Sequence, residues 1–125
     1  MKDLKRVSEV LIWSGNYRKL AEWYQDKLGL KVIEELNHPD DTGIAMRIGE
    51  SYFWVGKHSG VRGKNKDPYR IMINIEVDSV SGTYKKLKRR GVKFIADPFK
   101  APTFDKYFAT FCDLDGNVLQ LIGDK

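Results

Sequence analysis

Residues 16–35 read NYRKLAEWYQDKLGLKVIEE, and the change of pattern inside them decides the fold. Leu20, Ala21, Tyr24 and Leu28 fall on one helical face, at spacings of one, three and four. Asn16 suits an N-cap, because its side chain can accept a free backbone N–H of the first turn. Gly29 suits the position after the helix, because it takes positive φ without a Cβ clash. The reading is a helix over Tyr17–Leu28, then a strand over Leu30–Glu35 that opens with the apolar–Lys–apolar triplet Leu30-Lys31-Val32. The same sentence is spoken again 62 residues later, where Gly91 precedes Val92-Lys93-Phe94. The second helix is capped by Ser79 and carries Val80, Thr83, Tyr84 and Leu87 on its inner face.

Outward from these helices the flanking elements match too. VSEVLIW (7–13) precedes the first helix, and IMINIEV (71–77) precedes the second. Both are rich in the β-branched and aromatic residues that suit strands. After each helix come three further strand-like runs. In the first half these are Leu30–Glu35, Ile44–Ile48 and Tyr52–Val55, with a turn at 37–41. In the second half they are Val92–Ala96, Tyr107–Cys112 and Val118–Ile122. Asp97-Pro98 is read as opening a loop and Asp115-Gly116 as a tight hairpin turn. The order is βαβββ, linker, βαβββ. Module 1 covers about residues 5–57, a polar Gly-rich linker about 58–69, and module 2 about 70–123, within a single domain of 125 residues. A half of this length is a marginal folding unit alone. The expected class is α+β: two βαβββ modules forming a cupped mixed sheet, with one helix packed on each half.

Composition narrows the function classes. Charged residues are 31% and aromatics 12%, which is globular rather than disordered. No apolar run approaches the roughly 20 residues of a membrane span, and the N-terminal MKDLKRVSEV lacks a signal-peptide core. One cysteine, Cys112, excludes an intrachain disulfide and a CxxC motif. A cytoplasmic location without membrane partners is the simplest expectation. The net charge of +5 gathers at the end of the second helix in Lys85, Lys86, Lys88, Arg89 and Arg90. No aromatic is interleaved there for base stacking, and cations favour a helix C-terminus. Nucleic acid is therefore not an expected partner, and a basic nucleic-acid- or partner-binding module ranks last among the readings.

The repeat, with WYQDKLGL (23–30) and CDLDGNVLQL (112–121), resembles the vicinal oxygen chelate superfamily of glyoxalase I, bleomycin resistance proteins and extradiol dioxygenases. Trp23-Tyr24 and Leu28-Gly29-Leu30 are similar to the superfamily's Phe-Tyr and Leu-Gly-Leu positions. Asp113, Asp115, Gly116 and Asn117 are similar to its Asp-Pro-Asp-Gly-Asn signature, with Leu114 in place of Pro. The resemblance implies a homodimer and a ligand cup between the modules. It also implies a divalent metal held from the first and fourth strands. Those metal positions fall on Glu9, Met72, Gln120 and either Phe53 or Trp54. A thioether and an aromatic ring do not suit a hard divalent ion. No cofactor is therefore expected, and any metal would rest on Glu9 and Gln120.

The cup-lining candidates are Glu9, Trp13, Trp54, Met72, Asn74, Glu76 and Gln120. Glu9 and Glu76 are the candidate general bases. Aromatic walls beside carboxylates suit a flat or cationic organic molecule. The leading expectation is a small-molecule binding protein or a metal-independent enzyme. The alternative is a metal-dependent lyase or dioxygenase using Glu9 and Gln120, with Glu76 as a third ligand. His38 and His58 are read as ordinary surface histidines, and Cys112 as a small buried residue.

Overall fold

A computed structural model describes residues 1–125. The chain divides into two compact units, Met1–Gly63 and Lys64–Lys125. Each holds one helix and one four-stranded mixed sheet, the α+β βαβββ repeat expected from the sequence.

The first unit runs β1 (Glu9–Ser14), α1 (Tyr17–Leu28), β2 (Lys31–His38), β3 (Asp41–Ile48) and β4 (Ser51–Lys57). Its sheet order is β1-β4-β3-β2. β1 lies parallel to β4, and the two hairpins are antiparallel. Asn16 caps α1 by accepting the Lys19 N–H. Gly29 ends it at φ 69°, with its N–H and that of Leu30 both donating to the Tyr24 carbonyl. α1 buries Leu20, Ala21 and Tyr24, and the Tyr24 ring packs on Phe53 at 4.9 Å. Phe53 pairs with Val10, and Val55 pairs with Ile12. These residues therefore share the helix side of the sheet, because side chains alternate along a strand.

The second unit runs β5 (Ile73–Ser79), α2 (Val80–Arg89), β6 (Phe94–Lys100), β7 (Tyr107–Cys112) and β8 (Val118–Asp124). Its sheet order is β5-β8-β7-β6, with β5 parallel to β8. Ser79 caps α2 by accepting the Gly82 N–H, and Gly91 follows the helix at φ 88°. Tyr84, Phe94 and Phe111 form a continuous aromatic stack beneath α2.

Several expected boundaries move. β1 starts at Glu9 rather than Val7, and β5 starts at Ile73 rather than Ile71, so Met72 lies outside the strand. β2 continues to His38, which shrinks the expected turn to Pro39-Asp40. Asp97-Pro98 lies inside β6 instead of opening a loop. Proline lacks a ladder donor, yet an edge strand tolerates it, and β6 is the sheet's edge with two register shifts against β7. The β7–β8 connection is wider than a two-residue turn. Asp113 and Asn117 close it, and Gly116 sits at φ 80°, as in a three-residue loop ending in a bulge.

Candidate functional site

Each sheet has one face under its helix and one face turned away, and the candidate residues other than Met72 fall on the latter. In the first unit Glu9, Leu11 and Trp13 alternate with the helix-side Val10 and Ile12. Their β4 partners are Tyr52, Trp54 and Gly56. This register resolves the choice between two aromatics: Phe53 lies under α1, and Trp54 is on the open face. Glu9 is exposed and pairs with Tyr52 at one end of the face; Trp13 is half-buried at the other.

Trp54 is only 3% exposed although its side chain is on the open face. Two glycines, paired across β3 and β4, make room for it. A Cβ on Gly56 would overlap Trp54 Nε1, and one on Gly43 would overlap Trp54 Cζ2. Trp13 stands edge-on to Trp54, with ring centroids 6.4 Å apart and planes at 71°. The Trp54 Nε1–H is buried and meets no acceptor in the chain. An unsatisfied buried donor costs on the order of 1–3 kcal/mol. Charges of both signs stand around Tyr52: Glu9 is its partner on β1, and Arg47 its partner on β3, which pairs in turn with Lys31. Partial burial, and then Glu34, Glu9 and Asp41, push the Tyr52 phenol up.

In the second unit Asn74 and Glu76 lie on the open face, opposite Ile73, Ile75 and Val77. Asn74 pairs with Gln120, which pairs with Thr110. The Gln120 amide donates to Thr110 Oγ1 at 3.0 Å. The result is a polar row across three strands. Glu76 pairs with Ile122 one step along and is exposed. Met72, just ahead of β5, is exposed and belongs to no paired position.

The donor set does not fit the divalent metal that the fold suggests. By register Trp54 answers to Gln120, since Leu11 pairs with the first as Asn74 pairs with the second. Trp54 offers a donor N–H and no lone pair, and Met72 a soft thioether. Gln120 has its amide nitrogen committed to Thr110, and Glu9 alone brings charge. No group of three or more His, Cys, Asp or Glu side chains is placed so that it could hold a metal ion.

The basic end of α2 is exposed at Lys85, Lys86, Lys88 and Arg89. Lys88 is tied back to its own helix: its ammonium lies 5.3 Å from the Tyr84 ring centroid, and bonding to that phenol, then Asp97, raises its pKa. No helix is long and apolar enough to cross a membrane.

Comparison with known proteins agrees with this architecture. The model of the Glyoxalase/Bleomycin resistance protein/Dioxygenase superfamily matches residues 6–121. The chain belongs to that superfamily. One relative within reach of sequence comparison is YetH of Bacillus subtilis (strain 168), 24% identical over 94% of this chain and 98% of YetH. A glyoxalase family protein from Enterococcus faecalis has the same fold at TM-score 0.79 and 20% identity, over 96% of this chain and 98% of that one. TnmS3, an antibiotic binding protein from Streptomyces sp. CB03234, matches at TM-score 0.77 and 17% identity over 98% of both chains. The structural likenesses show the fold, and the reaction is left to the site.

Sequence reading missed one grouping. His38 ends β2 and His58 follows β4, so both reach the same end of the first sheet and line one pocket with Tyr17, Lys57, Asp40 and Asp41. The strand order β4-β3-β2 is the signal that would have joined them.

Proposed function

We propose that this chain binds a small, flat organic molecule, neutral or cationic, on the sheet faces turned away from its helices, and that it does so as a homodimer. The observation that carries the reading is Trp54. Its indole is packed into the open face over two glycines, and its buried N–H meets no acceptor in the chain. Trp13 offers a second ring beside it, and Glu9 and Glu34, both near Tyr52, are the carboxylates that a cationic ligand would meet. A ligand that stacks against the half-buried Trp13 ring gains aromatic contact there, with Trp54 as the floor behind it. TnmS3, which shares the fold, is named as an antibiotic binding protein, and this supports a binding role.

Calorimetric titration with proflavine, a planar cation, tests the reading against anthraquinone-2-sulfonate, a planar anion. Proflavine is expected to bind saturably and more tightly than the sulfonate. Trp13→Ala should weaken it about tenfold, the upper end of what one aromatic contact contributes. Absence of saturable binding by both probes, or equal binding by Trp13→Ala, would count against the proposal.

A second reading is an enzyme that uses Glu76 or Glu9 as general base. It is favoured by the polar row of Asn74, Gln120 and Thr110 on the same sheet face as Glu76. Once a substrate is in hand, Glu76→Gln and Glu9→Gln distinguish this reading: turnover should fall while binding persists.

A further inference from the structure

A pocket of about 720 Å³ opens at one end of the first unit's sheet. One wall is the β2–β3 turn, residues 37–42; the other is the end of β4 with His58 and Ser59, closed by Tyr17 at the start of α1. The two imidazoles are set in the same way. His38 Nδ1 accepts the Asp40 backbone N–H at 3.1 Å, and His58 Nδ1 accepts the Gly60 N–H at 2.9 Å. A nitrogen that accepts carries no proton, so each neutral ring holds its proton on Nε2. Neither ring can then ligate a metal through Nε2 without giving up its backbone bond. Each instead presents an N–H donor from its free end.

The charged residues of the pocket make a complementary statement. Lys57 stands on the β4 wall and Asp40 and Asp41 on the turn wall, and none of the three takes part in an ion pair. An anion alone would meet two carboxylates, and a cation alone would meet an ammonium. A molecule with both charges meets partners for each.

We propose that this pocket is a binding site for a small zwitterion, distinct from the Trp13–Trp54 face. Its carboxylate is taken by Lys57 and the Nε2–H donors of His38 and His58, and its ammonium by Asp40 and Asp41. The Trp13 ring touches His58, with centroids 5.5 Å apart, so a test must separate the pocket from the neighbouring face.

Long-range ¹H–¹⁵N correlation of the histidine rings does so on the intact chain. It is titrated with 5-aminopentanoate and, separately, with pentanoate and pentylamine, the two halves of that molecule. Before addition both rings should read as the Nε2–H form. The zwitterion should shift both rings saturably, and each half should bind at least about tenfold more weakly, the effect of losing one charge-assisted contact. Lys57→Gln and Asp41→Asn are surface changes whose folding is checked by the amide spectrum. Each should weaken zwitterion binding by a similar factor, whereas Trp54→Phe should not. Rings protonated on Nδ1, shifts that fail to saturate, or either half binding as well as the whole would overturn the proposal.

Discussion

Cys112 shows how one side chain's surroundings set its chemistry. The thiol is half-buried at the end of β7. Burial first, and then Asp113, raise its pKa, with Lys64 opposing. Both raising causes disfavour the thiolate, which is the nucleophilic form. Iodoacetamide should therefore modify folded Cys112 several-fold more slowly than free cysteine near neutral pH. The rate should keep climbing with pH beyond about 8.5, the ordinary thiol value. Mass spectrometry of alkylation time courses checks this, and a rate equal to that of free cysteine would contradict it. At this scale the sequence was legible where chemistry forces a choice. Glu9, Leu11 and Trp13 had to share a face, because Val10 and Ile12 were needed beneath the helix. It was illegible where the choice depends on hairpin length. Phe53 and Trp54 are adjacent and equally apolar, and only the pairing of Leu11 with Trp54 separates them.

Among the elements, the β7–β8 loop is the most heavily wired. Asp113 is 5% exposed. Its Oδ1 accepts the N–H groups of Asp115 and Asn117, and its Oδ2 accepts the Asn117 side-chain amide. The loop also holds the segment before β5, since Asn65 donates its backbone N–H to the Asp115 carbonyl and its side-chain amide to Asn117. Asp113→Ala leaves those donors without acceptors and should destabilise the fold by about 2 kcal/mol. A shift of the urea unfolding midpoint measures it, and a change within error would refute the role. The motif was visible in the sequence as Asp113, Asp115, Gly116 and Asn117, but its three-residue geometry was not, because Asp-Gly pairs also make two-residue turns. β6 was misread for a related reason. Pro98 normally ends a strand, and only its place at a sheet edge lets it remain inside one. His38 and His58 were read as ordinary surface histidines, and both are exposed; that they share a pocket needs the strand order that brings β2 and β4 to a common end.

For the whole molecule, the repeat of helix caps and glycine stops carried the architecture, and every element of both modules was found. The faces it could not finish are informative. Leu11, Val32 and Ile33 in the first unit, and Ile95 and Phe99 in the second, are each at least 40% exposed on strands. Exposed apolar strand residues of this kind are what a partner surface would cover. A second copy of the chain is the partner that the homodimer proposal supplies. Sedimentation equilibrium at micromolar concentration should return twice 14.4 kDa. A monomer mass throughout would remove the dimer from the proposal. The kinked edge strand has a consequence of another kind. Taken by itself, the first unit has one bulged edge, β2, whereas both edges of the second, β5 and β6, carry register shifts, and β6 adds Pro98 and a second shift. β1, in contrast, pairs without irregularity. A growing aggregate needs a flat, donor-rich margin to template the next strand. Fibril growth from partly unfolded chains would thus be steered away from β6, which makes that proline a guard on colloidal stability.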